Sequence, residues 1–367
     1  MRTVGVEEEF LLVGPDGAPV GAAGAAVRAY ELRTGGEDDE SEPGGGLEGE
    51  LKEEQLETGT HPCEDLGALA DEVRAGRRRA TAAARAVGVR LAAVATSPVA
   101  GDSSLAHGAR YHRMAQEYAL TAREQLTSGC HVHVAVADDD EGVAVIDRIA
   151  PWLPVLLALS TNSPYWRGED SGYSSFRSQV WSRWPTAGPT APFGSVAGYR
   201  QVVEGLLATG AALDHGMLYF DARLSHRYPT VEIRVADVCL RADDAVLVAA
   251  LARGLVETAA RDAAAGVPPV TARIEQLRAA TWRSGRSGLT GDLVAPPRFV
   301  PAPARDVVRA LLEHVRPVLT EDGDVQRVEG LLDSLWVRGS GAAQQRAWFR
   351  AGGPQGVVDG AVAATAD

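Results

Sequence analysis

The chain has 367 residues, of which 45% are hydrophobic and 23% charged, a composition typical of a globular protein with a large core. Its formal net charge of −13 argues against nucleic acid, and against an anionic membrane, as the main partner. We expect no transmembrane helix, because the apolar run at 150–160 is far shorter than the roughly 20 residues needed. Three widely spaced cysteines and the lack of a signal-peptide pattern predict a cytoplasmic protein.

The first half of the chain alternates between strand and helix patterns. Residues 35–49 are acidic and glycine-rich, which predicts a mobile surface loop. Apolar periodicity predicts the other elements in this order: a strand at 3–13, a strand around 50–57, a helix at 64–87, a strand at 89–98, a helix at 107–126, a strand at 128–138 and a largely helical segment at 140–160.

The second half begins with a long segment at 162–195 that is rich in aromatic residues, glycine, serine and proline. Loops of this length in a compact domain are usually functional, so we expect an active-site lid here. The remaining predicted elements are a helix at 197–210, a strand pair at 219–240, and helices at 242–265, 269–281, 304–319 and 321–338. We find no interdomain linker and predict one domain over 1–367, of α+β class with a large antiparallel sheet.

Polar residues alternate with apolar ones in three of the predicted strands. Because side chains in a strand point to opposite faces with period two, each of these strands has one apolar and one polar face. The polar faces carry these six side chains: Glu7, Glu9, His131, His133, Glu232 and Arg234. An antiparallel sheet can pack helices on one face and leave the other open, so we expect the six to meet on an open face.

Carboxylates and imidazoles at this density indicate divalent metal. A carboxylate majority favours Mg²⁺ or Mn²⁺ over zinc. The arginine offers a planar fork of donors for phosphate or carboxylate. Glu8 points the other way, among Val6, Phe10 and Leu12, so we expect it to pair with an arginine or a backbone amide instead of metal.

Five motifs occur together, in this order: "GVEEEFLLV", "ELKEEQLETGTHP", "SGCHVHVAV", "STNSPYWRGEDSGYSSFRSQVW" and "RYPTVEIRVADVC". With this set the chain resembles the bacterial glutamate–cysteine ligase type 2 family, also called carboxylate–amine ligases, over nearly its whole length. The resemblance implies a catalytic sheet like that of glutamine synthetase, with helices on one face. It also implies an ATP-dependent ligase that joins a carboxylate to an amine and releases ADP and phosphate, and the expected pair is the γ-carboxylate of glutamate and cysteine.

The resemblance also implies roles for individual residues. The expected metal ligands are Glu7, Glu9, Glu50, Glu57 and Glu232. We expect His131 and His133 at the nucleotide, Arg234 on phosphate, and Glu57 and Arg234 as catalytic residues. Tyr173 and Arg177, in the predicted lid, are our candidates for contacts with the substrate carboxylate.

Glu50 and Glu57 are seven residues apart, so a regular strand would place them on opposite faces. Either a bulge intervenes or only Glu57 reaches the metal.

Two other functions stay open at this stage. A metal-dependent amide hydrolase would use the H-x-H pair and the carboxylates without ATP. A non-catalytic sensor on the same fold would bind nucleotide or amino acid without turnover. The substrates are small molecules in each case, and a homo-oligomer is compatible with the sequence.

Overall fold

The computed structural model describes residues 1–34 and 44–367. The strands within these ranges are β1 Val4–Val13, β2 Leu47–Gly49, β3 Gln55–Gly59, β4 Arg90–Ala92, β5 Gly129–Ala135, β6 Tyr165–Trp166, β7 Glu169–Asp170, β8 Ala222–Leu224, β9 Thr230–Asp237, β10 Asp292–Ala295 and β11 Val300–Pro303. The α-helices are α1 Ala23–Thr34, α2 Leu66–Ala86, α3 Ala109–Tyr118, α4 Leu120–Glu124, α5 Asp139–Ile149, α6 Leu153–Ser160, α7 Arg177–Trp181, α8 Val196–Ala208, α9 Ala242–Ala264, α10 Ile274–Ser287, α11 Ala304–Asp322, α12 Val325–Arg338 and α13 Gly341–Ala366.

A seven-stranded sheet dominates the described part of the chain. Its strand order is β2-β3-β1-β5-β9-β8, and β4 pairs with the far end of β1. Every pairing in this sheet is antiparallel. β1, with ten residues, is long enough to pair with β3, β4 and β5. The structure therefore confirms the predicted α+β class with a large antiparallel sheet.

Helices α5, α6 and α9 cover one face of the central strands, while α13 packs on the opposite face at the far end of β1, against Leu11 and Val13. The apolar residues of the central strands, such as Val6, Val132 and Ile233, pack into one core with residues of α5, α6 and α9. Helix α2 begins where the Asp65 side chain accepts a hydrogen bond from the Ala68 amide, and Asp138 caps α5 in the same way. The core therefore lies behind the sheet and leaves the polar side chains on its other face.

Glu8 lies on the helix-covered face, as predicted. Its carboxylate accepts hydrogen bonds from Nε and Nη2 of Arg77 on α2, at 3.0 and 2.6 Å. Arg77 also donates to the carbonyl oxygens of Leu240 and Cys239. Both side chains of the pair are buried, so the expected arginine partner of Glu8 is confirmed.

The continuous strand predicted around 50–57 is wrong. Leu47–Gly49 and Gln55–Gly59 are separate strands, and the chain turns between them. Buried Lys52 donates to the carbonyl oxygen of Arg123 at 2.9 Å in this turn. The loop predicted over 35–49 is wrong at residues 47–49, which form β2. Residues 35–43 lie outside the described part of the chain.

Segment 162–195 is more structured than a lid loop. It contains the β6–β7 hairpin and helix α7, and Ser175, Arg177 and Val180 are buried in the interior. Asp237 at the end of β9 fixes this segment, because its carboxylate accepts bonds from the Ser163 and Ser175 hydroxyls at 2.7 and 2.8 Å. A lid role therefore remains a prediction for the exposed residues of the segment only.

The stretch Asp139–Ser160, which contains α5 and α6, is long and apolar enough by composition to cross a membrane. However, 78% of its most apolar window is buried inside the fold. It supplies Val145, Ile146 and Leu156 to the core behind the sheet. The segment therefore has the position of a core helix pair.

Candidate active site

Strand register brings the predicted polar residues together. Glu7 lies directly opposite His131 on β5, and Glu9 lies opposite Glu57 on β3. His133 lies opposite Glu232 on β9. Directly opposed residues share a face of the sheet, so these side chains converge on the face that the core helices leave free.

Three groups of ligand atoms form within this cluster, each with its atoms within 4.8 Å of one another. The groups are Glu7 with His133 and Glu232, Glu7 with His131 and Glu57, and Glu9 with Glu50 and Glu57. Glu7 and Glu57 each belong to two groups. The three groups are therefore one continuous site, which we call the acid cluster.

Glu50 reaches the acid cluster because the strand is broken. The turn between β2 and β3 removes the alternation that would have put Glu50 and Glu57 on opposite faces. A turn, and not the bulge considered from the sequence, thus brings both carboxylates beside Glu9.

Both ring nitrogens of His131 and one of His133 face carboxylates of the acid cluster. Nδ1 of His131 lies 3.3 Å from Glu7 Oε2, and Nδ1 of His133 lies 3.0 Å from the Thr230 hydroxyl. Nε2 of His133 lies 3.3 Å from Glu7 Oε1 and Nε2 of His131 lies 3.7 Å from Glu9 Oε1, so both buried nitrogens face carboxylates through long contacts. Buried polar atoms are nearly always satisfied, so these nitrogens and the carboxylates around them fit a bound cation.

Charge is unevenly balanced across the acid cluster. Burial raises the pKa of the Glu57 carboxyl well above its ordinary value, and the neighbouring carboxylates Glu50 and Glu7 raise it further. Burial likewise raises the pKa of Glu9. Burial also acts on Glu7, but hydrogen bonds to His131 and His133 outweigh it and hold the pKa of Glu7 well below its ordinary value. The side of the cluster around Glu57 therefore lacks positive charge, which a cation would supply.

Glu232 has protein partners already. Burial opposes its ionisation, but the guanidinium groups of Arg234 and Arg223 hold its pKa below the ordinary value. Arg223 on β8 donates to both carboxylate oxygens, at 2.7 and 3.1 Å, and Arg234 donates to Oε1. Sequence reasoning missed Arg223, because its position opposite Glu232 depends on the pairing of a three-residue strand.

Comparison with known proteins decides the family. The profile of glutamate-cysteine ligase family 2 matches residues 3–365. This chain belongs to glutamate–cysteine ligase family 2.

Relatives that carry the family name support this assignment. A glutamate–cysteine ligase 2 homologue of Frankia alni is 52% identical over 370 residues, covering 98% of this chain and 96% of that protein. A Streptomyces coelicolor homologue is 51% identical over 346 residues, covering 94% of each. The resemblance found in the sequence is confirmed, and with it the expectation of an ATP-dependent ligase.

Solved structures share the fold. The glutamate–cysteine ligase of Francisella tularensis in complex with AMP has a TM-score of 0.71 at 13% identity, covering 99% of this chain and 88% of that one. A bifunctional glutathione synthetase from Pasteurella multocida has a TM-score of 0.67 at 17% identity, covering all of this chain and 52% of that one. At these identities the likeness establishes the fold alone.

Within this member of the family, Arg177 lies beneath the site and not at its mouth. Its side chain is 2% exposed, and its guanidinium lies 5.4 Å from the Trp181 ring centroid. Its bonds to the carbonyl oxygens of Val235 and Arg234 are long, at 3.4 and 3.5 Å. Gly129 makes room for it, because a Cβ there would lie 2.5 Å from Nη2.

Tyr173 is not brought to the acid cluster. Its hydroxyl lies 3.2 Å from Nε1 of Trp282, and its ring packs on Phe176 and Arg286. These contacts, all within the described residues, place it against α10. The substrate contacts expected of Tyr173 and Arg177 therefore stay predictions.

Proposed function

We propose that this enzyme joins the γ-carboxylate of L-glutamate to the amine of L-cysteine and converts ATP to ADP and phosphate. The observation that carries the proposal is the acid cluster, in which five carboxylates and two imidazoles form one continuous site on the sheet face opposite α5, α6 and α9. We place the reaction in the cytoplasm, because the three cysteines of the chain are free and buried.

The chemistry explains why such a cluster is needed. A carboxylate reacts poorly with an amine because its oxygen is a poor leaving group. Transfer of the γ-phosphoryl group of ATP to the carboxylate gives an acyl phosphate, which the amine attacks with release of phosphate. The first step brings two anions together, so the site must neutralise negative charge at the point of transfer.

The acid cluster can hold the cations for that step. Mg²⁺, or Mn²⁺ in its place, would be held by these residues: Glu7, Glu9, Glu50, Glu57, Glu232, His131 and His133. When bound, the metal supplies the positive charge that offsets the phosphates. The oxygen-rich ligand set is the one that such hard cations prefer.

Arg234 is the residue best placed to contact the transferred phosphoryl group. Arg234 is 8% exposed, and its guanidinium lies beside the rings of Trp181 and Tyr219, 6.0 and 5.9 Å from their centroids. Nε of Arg234 has no hydrogen-bond partner among the described residues. A buried guanidinium with an unused donor can stabilise charge that develops on phosphate.

A screen of phosphate release tests the proposal. Amino acids are paired with amines in the presence of ATP and Mg²⁺, and Glu232→Ala is compared with Glu313→Ala, a control on the exposed surface of α11. The proposal predicts ADP and phosphate only when both substrates are present, loss of activity in Glu232→Ala and full activity in the control. Amide hydrolysis without nucleotide, or ATP binding without turnover for every pair, would contradict it.

A further inference from the structure

Arg223 and Arg234 hold Glu232 in different ways. Arg223 donates from Nε and Nη2 to the two carboxylate oxygens, at 2.7 and 3.1 Å. Its Nη1 reaches the carbonyl oxygens of His215, Gly216 and Leu218, at 3.3, 3.2 and 3.0 Å. All three nitrogens of this guanidinium are therefore engaged, and the side chain is fixed between β9 and the chain segment before β8.

Arg234 contacts the same carboxylate through fewer hydrogen bonds. It donates to Glu232 from Nη1 alone, and its Nε has no partner in the described part of the chain. The Trp181 and Tyr219 rings, whose centroids lie 4.7 Å apart, pack beside its guanidinium. Of the two arginines, Arg223 is the one whose contacts fix the orientation of Glu232.

The Glu232 carboxylate keeps an acceptor position for a further ligand in this orientation. Each carboxylate oxygen accepts two hydrogen bonds or ligands. Within residues 1–34 and 44–367, Oε1 of Glu232 accepts from both Arg223 and Arg234, whereas Oε2 accepts from Arg223 alone. One lone pair of Oε2 is thus unused, in a carboxylate that shares a ligand group with Glu7 and His133.

We infer that Arg223 is a positioning residue, which orients the Glu232 carboxylate so that it can bind a divalent cation together with Glu7 and His133. The inference rests on the proposed function, because that function places the cation in the acid cluster. Partners that orient a ligating carboxylate contribute about 10–100-fold to metal affinity. No sequence motif or resemblance assigns Arg223 a role.

Mn²⁺ binding to the purified full chain tests the inference without any turnover. Free Mn²⁺ is measured by electron paramagnetic resonance during titration of the wild type, Arg223→Met and Arg223→Lys. The control is Arg346→Met, because Arg346 makes the same kind of fork to Asp170, at 2.8 and 2.6 Å, and a bond to the Tyr173 carbonyl oxygen at 2.9 Å.

The inference predicts at least about tenfold weaker Mn²⁺ binding for Arg223→Met, a smaller loss for Arg223→Lys and none for Arg346→Met. The sign of the effect is decisive. If Arg223 were only a positive charge near the site, Arg223→Met would bind Mn²⁺ more tightly than the wild type, and this result would overturn the inference.

Wild-type affinity in both Arg223 variants would overturn it as well. If Arg223→Met does not fold, as judged by circular dichroism, the charge-preserving Arg223→Lys variant decides alone. A wild-type protein that binds no Mn²⁺ would instead contradict the proposed function itself, so the two failures are distinguishable.

Discussion

Glu8 offers a test of the strand register on which the site depends. It lies between two proposed ligands in the sequence, yet its carboxylate pairs with Arg77 on the other face of the sheet. Glu8→Gln removes the negative charge that pairs with the guanidinium, whose other acceptors, the Cys239 and Leu240 carbonyl oxygens, are neutral. Both side chains are 3% exposed or less, so solvent cannot replace the lost charge.

Breaking a buried ion pair by removing one partner costs about 3–5 kcal/mol. An unfolding entropy of about 2.1 cal/mol/K per residue gives a total unfolding entropy of about 0.8 kcal/mol/K for a chain of this length. The expected fall in the thermal midpoint is therefore about 4–6 °C, measured by differential scanning calorimetry. The double variant Glu8→Leu/Arg77→Met should recover most of this loss, because apolar residues of similar size often replace a buried pair at little cost.

The neighbouring variant Glu9→Gln is the matched control. It should weaken Mn²⁺ binding without the same fall in the thermal midpoint, while Glu8→Gln should bind Mn²⁺ like the wild type. If Glu8→Gln melted at the wild-type temperature and lost Mn²⁺ binding, the assignment of Glu7 and Glu9 to one face and Glu8 to the other would be refuted.

Three further predictions concern the acid cluster. Glu57→Gln should lower the rate of phosphate release at least about 100-fold, because Glu57 belongs to two ligand groups. In the absence of metal, calorimetry should show unchanged or higher stability, because the variant removes a buried carboxyl whose ionisation is unfavourable. Without divalent cation, the thermal midpoint should fall as the pH rises above about 4.5. The pKa values of Glu57 and Glu9 are raised in the folded state, so these carboxyls stabilise the fold below their unfolded pKa and lose that contribution when they ionise. Added Mg²⁺ should flatten the dependence of the thermal midpoint on pH. Gly129→Ala should destabilise the protein by about 1–3 kcal/mol in urea unfolding, because its Cβ would displace Arg177, and a variant as stable as the wild type would contradict the observed packing.

Much of the sheet could be predicted from period-two alternation. Glu7, Glu9, His131, His133 and Glu232 share one face because their spacing within each strand is even and the apolar residues between them fill the core. The same pattern correctly set Glu8 apart. Local periodicity is reliable here because a slip of one residue would move every apolar side chain out of the core.

Other parts of the site depend on contacts that no local pattern contains. The sequence predicts one strand around 50–57, but the chain turns there, where Lys52 donates to the Arg123 carbonyl oxygen, and this turn brings Glu50 to the cluster. Arg223 gains its role from the pairing of β8 with β9. Arg177 was predicted at the substrate because it lies in a long loop, but tertiary packing buries it next to Gly129.

Helix α13, Gly341–Ala366, was also missed, since Gly352, Gly353 and Pro354 interrupt its sequence. The backbone at Gly352 and Gly353 is not helical, and two helical stretches meet there. Val358 and Ala361 from this element pack against Leu11 and Val13 of β1. Packing on the sheet thus supports a helix that local propensity alone would break.

The most direct test of the central claim follows oxygen from the carboxylate to phosphate. The enzyme is incubated with ATP, Mg²⁺, cysteine and glutamate labelled with ¹⁸O in the γ-carboxylate, and the products are analysed by mass spectrometry. The account predicts ADP and one ¹⁸O atom in phosphate for each γ-glutamylcysteine formed, because the acyl phosphate carries a carboxylate oxygen away. Unlabelled phosphate, or AMP with pyrophosphate, would contradict it.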